Sequence, residues 1–272
     1  MKMVAASRLK KAKNAVEASR PYADSIYQMA SNLASNISMR GSLSEKFPLL
    51  TGKGEEKSYL LVVLSSDRGL CGGLNSSTVR FAKSRINHLI TEGKKVRIIC
   101  VGKKAYEQLK SAYSKKIIDH IFGVFKNQID YAIAEDLATK LIERFSANEF
   151  DVCEIIYSKF KSAIAQEPVI QQVIPAKINV VDSSSSAEMP IDYEPEQEQI
   201  LSSLLPKNLT VQIYKNLLEN SASEQGARMA AMEAASTNAN KMIKNLTLVY
   251  NRTRQANITR ELIDIVSGAN AV

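Results

Sequence analysis

Near the N-terminus, apolar residues recur with a period of seven. With Leu9 as position a of a heptad, Leu9, Val16, Ala23, Ala30 and Ile37 fall at a, and Ala5, Ala12, Ser19, Ile26 and Leu33 fall at d. A seam of this kind specifies a helix that pairs with another helix, and its small residues favour close approach. Pro21 lies inside the seam, and an interior proline costs about 3 kcal/mol and kinks or breaks a helix. Because the seam continues in register on both sides, the pattern predicts a bend near Arg20 rather than an end.

A second seam runs near the C-terminus. Pro206 suits a first helical position and Gly268 a C-terminal stop, and between them the sequence has one other glycine, Gly226, and no other proline. This predicts one helix of about 60 residues, roughly 90 Å long. Its seam is Val211, Tyr214, Leu218, Met232, Ala235, Ala239, Met242, Leu246, Val249, Ala256 and Ile263, interrupted at Gln225 and Arg228. Such a helix must project and pair, and the N-terminal arm is the available partner in an antiparallel coiled coil. The lengths do not match, since an arm of about 38 residues covers roughly 57 Å. The last turns, with Val249, Ile258, Ile263 and Val266, are therefore expected to lie against residues preceding Met1 or inside another protein.

Between the arms, strand-like runs at 59–66, 96–102, 116–122, 151–160 and 168–181 alternate with helix-like runs at 75–91, 103–112 and 128–146. Alternation predicts a small, Rossmann-like α/β domain with a mostly parallel sheet. The expected fold class is thus α/β, with a long antiparallel coiled coil of the N- and C-terminal helices. The division is 1–40, first coiled-coil helix; 58–182, α/β domain; 183–205, acidic serine-rich loop and connector; 206–272, second coiled-coil helix. The stretch DSSSSAEMPIDYEPEQEQ (182–199) reads as a mobile loop.

Charge adds a partner class. Residues 1–40 carry 7 Lys and Arg against 2 Asp and Glu, and residues 207–272 carry 8 against 5. The middle is balanced at 21 each, so the net charge of +8 resides in the two arms. Basic arms select an acidic partner: nucleic acid, anionic lipid or a carboxylate-rich protein face. No apolar run approaches the roughly 18–20 residues that span a bilayer, and the first residues lack a signal-peptide core, so the chain is expected to stay where it is made. Three widely spaced cysteines, Cys71, Cys100 and Cys153, read as reduced thiols.

The stretch LLVVLSSDRGLCGGLN (60–75) has the look of a phosphate cradle, a strand feeding a glycine-rich turn at a helix start. It lacks the lysine of G-x-x-x-x-G-K-[ST] and the spacing of G-x-G-x-x-G. The simpler reading is a tight strand-to-helix turn whose Gly69, Gly72 and Gly73 supply positive φ, with Asp67 and Arg68 left displayed and unexplained. His88 and His120 have no ligand-like neighbours. Cys71, near a helix start and beside Arg68, could be an activated thiol but has no histidine base near it in sequence. Ser65 and Ser66 lack a G-x-S-x-G elbow. No catalytic constellation, cofactor site or metal site is expected.

The segment NRTRQANITRELIDIVSGANAV differs from a merely solvated helix face, because directional polar groups alternate there with an apolar seam that should not stay in water. Together with MKMVAASRLKKA and SRPYA in the first arm, SSDRGLCGGLN at the turn and ASEQGARMAAMEAASTNA in the long helix, it resembles the gamma chains of the rotary proton-translocating ATP synthases over essentially the whole sequence. The resemblance implies a single-copy, non-catalytic shaft in a hexamer of alpha and beta chains, its α/β domain beside the epsilon chain on the membrane c-ring. It implies no nucleic acid and no small-molecule substrate, and a place on the cytoplasmic face of a bacterial inner membrane or the matrix face of the mitochondrial one.

Carried across by position, Arg254 and Gln255 match helix positions that hydrogen-bond an open beta chain, with Arg252 and Thr259 close by. Arg80 and Lys83 match basic positions that meet the acidic C-terminal region of another beta chain, and Arg68 lies near the same collar. The resemblance also implies that the family's first helix begins upstream of the segment matching MKMVAA. The other reading of the basic arms is a free coiled-coil module that binds nucleic acid.

Overall fold

The computed structural model describes residues 2–38, 47–54, 56–126, 128–176 and 196–269. Helix α1, Lys2–Ser38, runs unbroken through Pro21. It is followed by the single turn α2, Pro48–Thr51, then β1, Ser58–Leu64, and α3, Leu74–Thr91. Next come β2, Lys95–Val101, α4, Lys103–Tyr113, β3, Ile117–Ile121, α5, Tyr131–Ser146, β4, Val152–Phe160, and β5, Gln166–Ile174. The last element is α6, Gln197–Ala269, 73 residues long, which spans about 110 Å at 1.5 Å per residue.

The strands form one sheet in the order β3-β2-β1-β4-β5, parallel except for β5, which pairs antiparallel with β4. Alternating side chains of the central strands supply two cores, as expected of a sheet covered on both faces. Leu61, Val63, Ile98 and Cys100 point to α3 and α4, where Ile86, Leu89 and Leu109 meet them. Leu60, Val62, Ile99 and Ile155 point the other way, to Leu137 and Leu141 of α5 and to Leu217 and Ala222 of α6. The long helix is therefore one covering layer of the sheet as well as an arm of the coiled coil.

Pairing of α1 with α6 is antiparallel. Leu33 packs with Leu201 and Leu205, Ala23 and Ile26 with Val211, and at the far end Lys2 forms an ion pair with Glu233. The seam residues Ala5, Val16, Ala23, Ile26, Ala30 and Leu33 are all buried. One boundary needs correction: α6 starts at Gln197, not at Pro206, so the expected connector up to 205 is partly helical. Packing of Leu201 and Leu205 on Leu33 and Phe47 outweighs the missing amide of Pro206. The acidic loop expected from 182 lies, up to residue 195, outside the described residues, as does the end of the strand expected to reach 181.

Candidate partner-binding surfaces

The turn after β1 is held by its own polar side chains. The Ser66 amide donates to Asn75 Oδ1 at 3.1 Å, and the Ser66 hydroxyl donates to the Arg68 carbonyl at 2.5 Å. Asn75 Nδ2 donates in turn to Cys71 Sγ at 3.1 Å. Asp67 is not a displayed charge. Its carboxylate accepts from the amides of Lys103 at 3.2 Å, Gly123 at 3.0 Å and Phe125 at 3.1 Å, tying the start of α4 and the segment after β3 to this turn. The glycine reading also needs revision, because positive φ is found at Leu70 and Gly72 but not at Gly69 or Gly73.

The closest backbone approach lies next door. At Gly102, φ is +103° and a Cβ would stand 2.2 Å from the Ser65 carbonyl oxygen. The turn docks on α6 through Cys71, Leu74 and Ala227. Arg228 adds a polar link, with Nη2 donating to the Gly69 carbonyl at 3.2 Å and to Glu224 Oε1 at 2.6 Å. Gly226, the one interior glycine of the long seam, sits where a Cβ would come 3.1 Å from the Phe160 ring, so its absence lets helix and strand approach.

Polar residues of α6 are buried at this junction. Glu219, Asn220, Glu224 and Gln225 are all at most 5% exposed, and Asn216 is fully buried. Burial pushes the Glu219 carboxyl above its ordinary value, with Lys215, Lys159 and Arg20 opposing. Burial likewise raises Glu224 against the pull of Arg228. Burial pushes the Cys100 thiol up to about 12 and raises Cys153 as well, so both stay protonated and unreactive. Cys71 is buried too. His88 faces Glu92 at 3.4 Å on the surface of α3, while His120 is stacked with Tyr106 and Phe122. Among the described residues no cluster of three His, Cys, Asp or Glu could hold a metal.

Two exposed surfaces contain the sequence-selected residues. Arg68 is exposed on the turn, and Arg80 and the half-buried Lys83 are three residues apart on the outer face of α3. Beyond Glu233 every described residue of α6 is exposed. Met242 at 66%, Val249 at 61%, Leu246, Ile258, Ile263 and Val266 there are covered by no other described residues. Arg252, Gln255 and Thr259 stand on one face of that projection by their 3- and 4-residue spacing, and Arg254 lies about 100° around from Gln255. The projecting helix thus holds apolar contact area and directional polar groups together, about 30 Å or more from the turn at 1.5 Å per residue.

A family model described as ATP synthase matches residues 1–272. The ATP synthase gamma chain of Methylobacterium nodulans is 49% identical over 272 residues, all of this chain and 92% of that one. This chain belongs to the ATP synthase gamma-chain family. The gamma chain of Nitrobacter winogradskyi is 48% identical with the same coverage. Among solved structures, the central stalk and c-ring of Tetrahymena thermophila mitochondrial ATP synthase includes a chain with a TM-score of 0.64 and 29% identity, covering 87% of this chain and 97% of that one. A Euglena gracilis mitochondrial ATP synthase chain shares the fold at a TM-score of 0.61 and 20% identity. For a gamma chain, the features that sequence reasoning missed are internal ones. Asp67 as the tie between three loops and Arg228 as the link from turn to shaft depend on segments distant in sequence, and no local motif announces either.

Proposed function

We propose that this chain is the central rotor shaft of an F-type ATP synthase, transmitting rotation of a proton-driven membrane ring to the catalytic beta chains of an alpha–beta hexamer. The observation that carries the reading is α6, a 73-residue helix whose stretch beyond Glu233 projects from the α/β domain with an exposed apolar surface that no described residue covers. An apolar helix of this length in water invites association, and a ring of subunits closing around it supplies an apolar bearing. Arg254 and Gln255, with Arg252 and Thr259, are the groups that hydrogen-bond a beta chain as the shaft presents them. Arg68, Arg80 and Lys83 form the second contact, a basic collar facing carboxylates of another beta chain.

The shaft works because it is asymmetric. Antiparallel pairing of α1 with α6 gives the shaft a two-helix cross-section that has no threefold symmetry. An asymmetric axle turning in a threefold bearing presents a different face to each beta chain in turn, and their affinities for ADP, phosphate and ATP follow. The α/β domain is the foot that receives torque, beside the epsilon chain and on the c-ring. The gamma chain contributes no bond chemistry and is present once per complex. It sits on a membrane through its partners; no helix among the described residues is long and apolar enough to cross one.

Co-purification tests the reading. Tagged chain expressed in its native host is expected to bring down alpha and beta chains in fixed stoichiometry, along with nucleotide turnover. Recovery with nucleic acid alone would overturn the rotor assignment in favour of a nucleic-acid-binding coiled coil.

A further inference from the structure

A cleft of 240 Å³ opens where α1, the segment after β3 and α6 meet. Its rim carries Arg8 and Lys11, one turn apart on α1, and Lys126 from the α/β domain. All three are exposed, no carboxylate lines the cleft, and none of the three is in an ion pair among the described residues. Like charges converge here without internal compensation. The floor is of the opposite character, with Phe125, Ile129 and Leu218 against the alanines of α1.

Gln225 lines the same cleft from α6, on the stretch that packs across from Arg8 and Lys11 in the antiparallel pairing. It is 5% exposed, and its Oε1 is buried without a hydrogen-bond donor among the described residues. A buried acceptor left unpaired is costly, so a donor from an occupant is favoured there. Phe125 and Lys126 lie just past the carboxyl end of β3, the outermost parallel strand. The Phe125 wall is fixed in place, because the Phe125 amide donates to Asp67.

A pocket with a few convergent polar groups over an apolar floor is the usual form of a small-molecule site. An occupant must combine anionic groups for the three cations, an apolar body and a hydrogen-bond donor for Gln225. We propose that the cleft binds an adenine nucleotide, its phosphates at Arg8, Lys11 and Lys126, its base on Phe125 and Ile129, and its exocyclic amine donating to Gln225 Oε1. Because the walls come from the first arm, the α/β domain and the long helix, a bound nucleotide clamps the coiled coil to the domain at the root of the shaft. The site is separate from the surfaces assigned to the beta chains and forms no bond in its ligand.

Calorimetric titration of the purified 272-residue chain tests this, with ADP, IDP, adenosine, inorganic phosphate and a hexaglutamate peptide as probes. ADP is expected to saturate a single site with a Kd below about 100 µM, with adenosine and phosphate at least about tenfold weaker. Arg8→Ala with Lys126→Ala changes two exposed side chains and is expected to weaken ADP at least about tenfold. Gln225→Leu is expected to erase the preference for ADP over IDP, which lacks the amine. Absence of saturable ADP binding up to about 1 mM, or binding unaffected by the Arg8 and Lys126 replacements, overturns the proposal. So does phosphate binding as tightly as ADP, or hexaglutamate binding where ADP does not, the latter assigning the cleft to an acidic protein segment.

Discussion

Arg228 on the long helix donates from one nitrogen, Nη2, to the Gly69 carbonyl at 3.2 Å and to Glu224 Oε1 at 2.6 Å. The α/β domain and the shaft are joined at this point by a charge-assisted contact as well as by apolar packing, so force applied to the domain reaches the helix through a fixed geometry.

Arg228→Ala would leave Glu224, 2% exposed, without its cation. Removing one partner of a buried pair costs about 3–5 kcal/mol, and the partial exposure of Arg228 puts the expectation at the lower end or somewhat below, about 2–3 kcal/mol. Lys2→Ala, which breaks the exposed pair with Glu233, is expected to cost under about 1 kcal/mol. Urea unfolding of the two variants measures both, and equal losses would contradict the assignment of Arg228.

The buried Glu219 makes stability depend on pH. Burial raises its folded pKa above the unfolded carboxylate value of about 4.3. The folded state therefore binds more protons between the two values, and stability present below pH about 4.3 is lost as pH rises through the folded pKa. Glu219→Gln removes that loss. The variant is expected to be more stable than the parent at pH 7, and the difference should shrink toward pH 4, as measured by denaturant midpoints at the two pH values.

Gly102 and Gly93 separate crowding from backbone strain. Both have positive φ, but a Cβ at Gly102 would stand 2.2 Å from the Ser65 carbonyl oxygen, whereas the space at Gly93 is open. Gly93→Ala is expected to lower stability by about 1 kcal/mol. Gly102→Ala must displace β1 from α4 and is expected to cost more than about 4 kcal/mol or abolish folding. Thermal melts compare them directly.

These particulars show where sequence reasoning reaches. The aliphatic runs LLVVL and IICV could only be buried strands, and the heptad seam of α1 foretold six of its buried residues, Ala5, Val16, Ala23, Ile26, Ala30 and Leu33, but not Ser31 or Ala34, because periodicity reports the face an element presents. The start of α6 was not legible, since Pro206 is an ordinary helix opener and only the distant Leu33 and Phe47 make it worth continuing upstream. Asp67 read as a loose surface acid for the same reason: its three amide partners lie more than 30 residues away. In the candidate surfaces, the apolar residues of the tip were legible from the seam, whereas the buried polar residues of α6 interrupt the seam without indicating what covers them.

Charge and hydrogen bonding at the projecting tip should matter to turnover but not to folding, because Arg254 and Gln255 are exposed and distant from both cores. Arg254→Glu with Gln255→Ala is expected to leave the unfolding midpoint of the isolated chain within about 0.5 kcal/mol of the parent. The same pair should reduce ATP turnover of the assembled complex at least about tenfold, a loss of about 1.4 kcal/mol in transition-state stabilisation. Lys95→Glu, on the exposed start of β2, is the comparison. Equal effects of the two on turnover would count against the tip as a contact.

The rotor reading is tested most directly by watching the chain turn. All three natural cysteines are buried, so an exposed cysteine introduced as Lys110→Cys on α4 can be labelled selectively. With a bead on that residue and the alpha–beta hexamer fixed to glass, ATP is expected to drive unidirectional rotation in three steps per turn, stopping when ATP is withdrawn. A bead that stays fixed while the hexamer hydrolyses ATP would contradict the account.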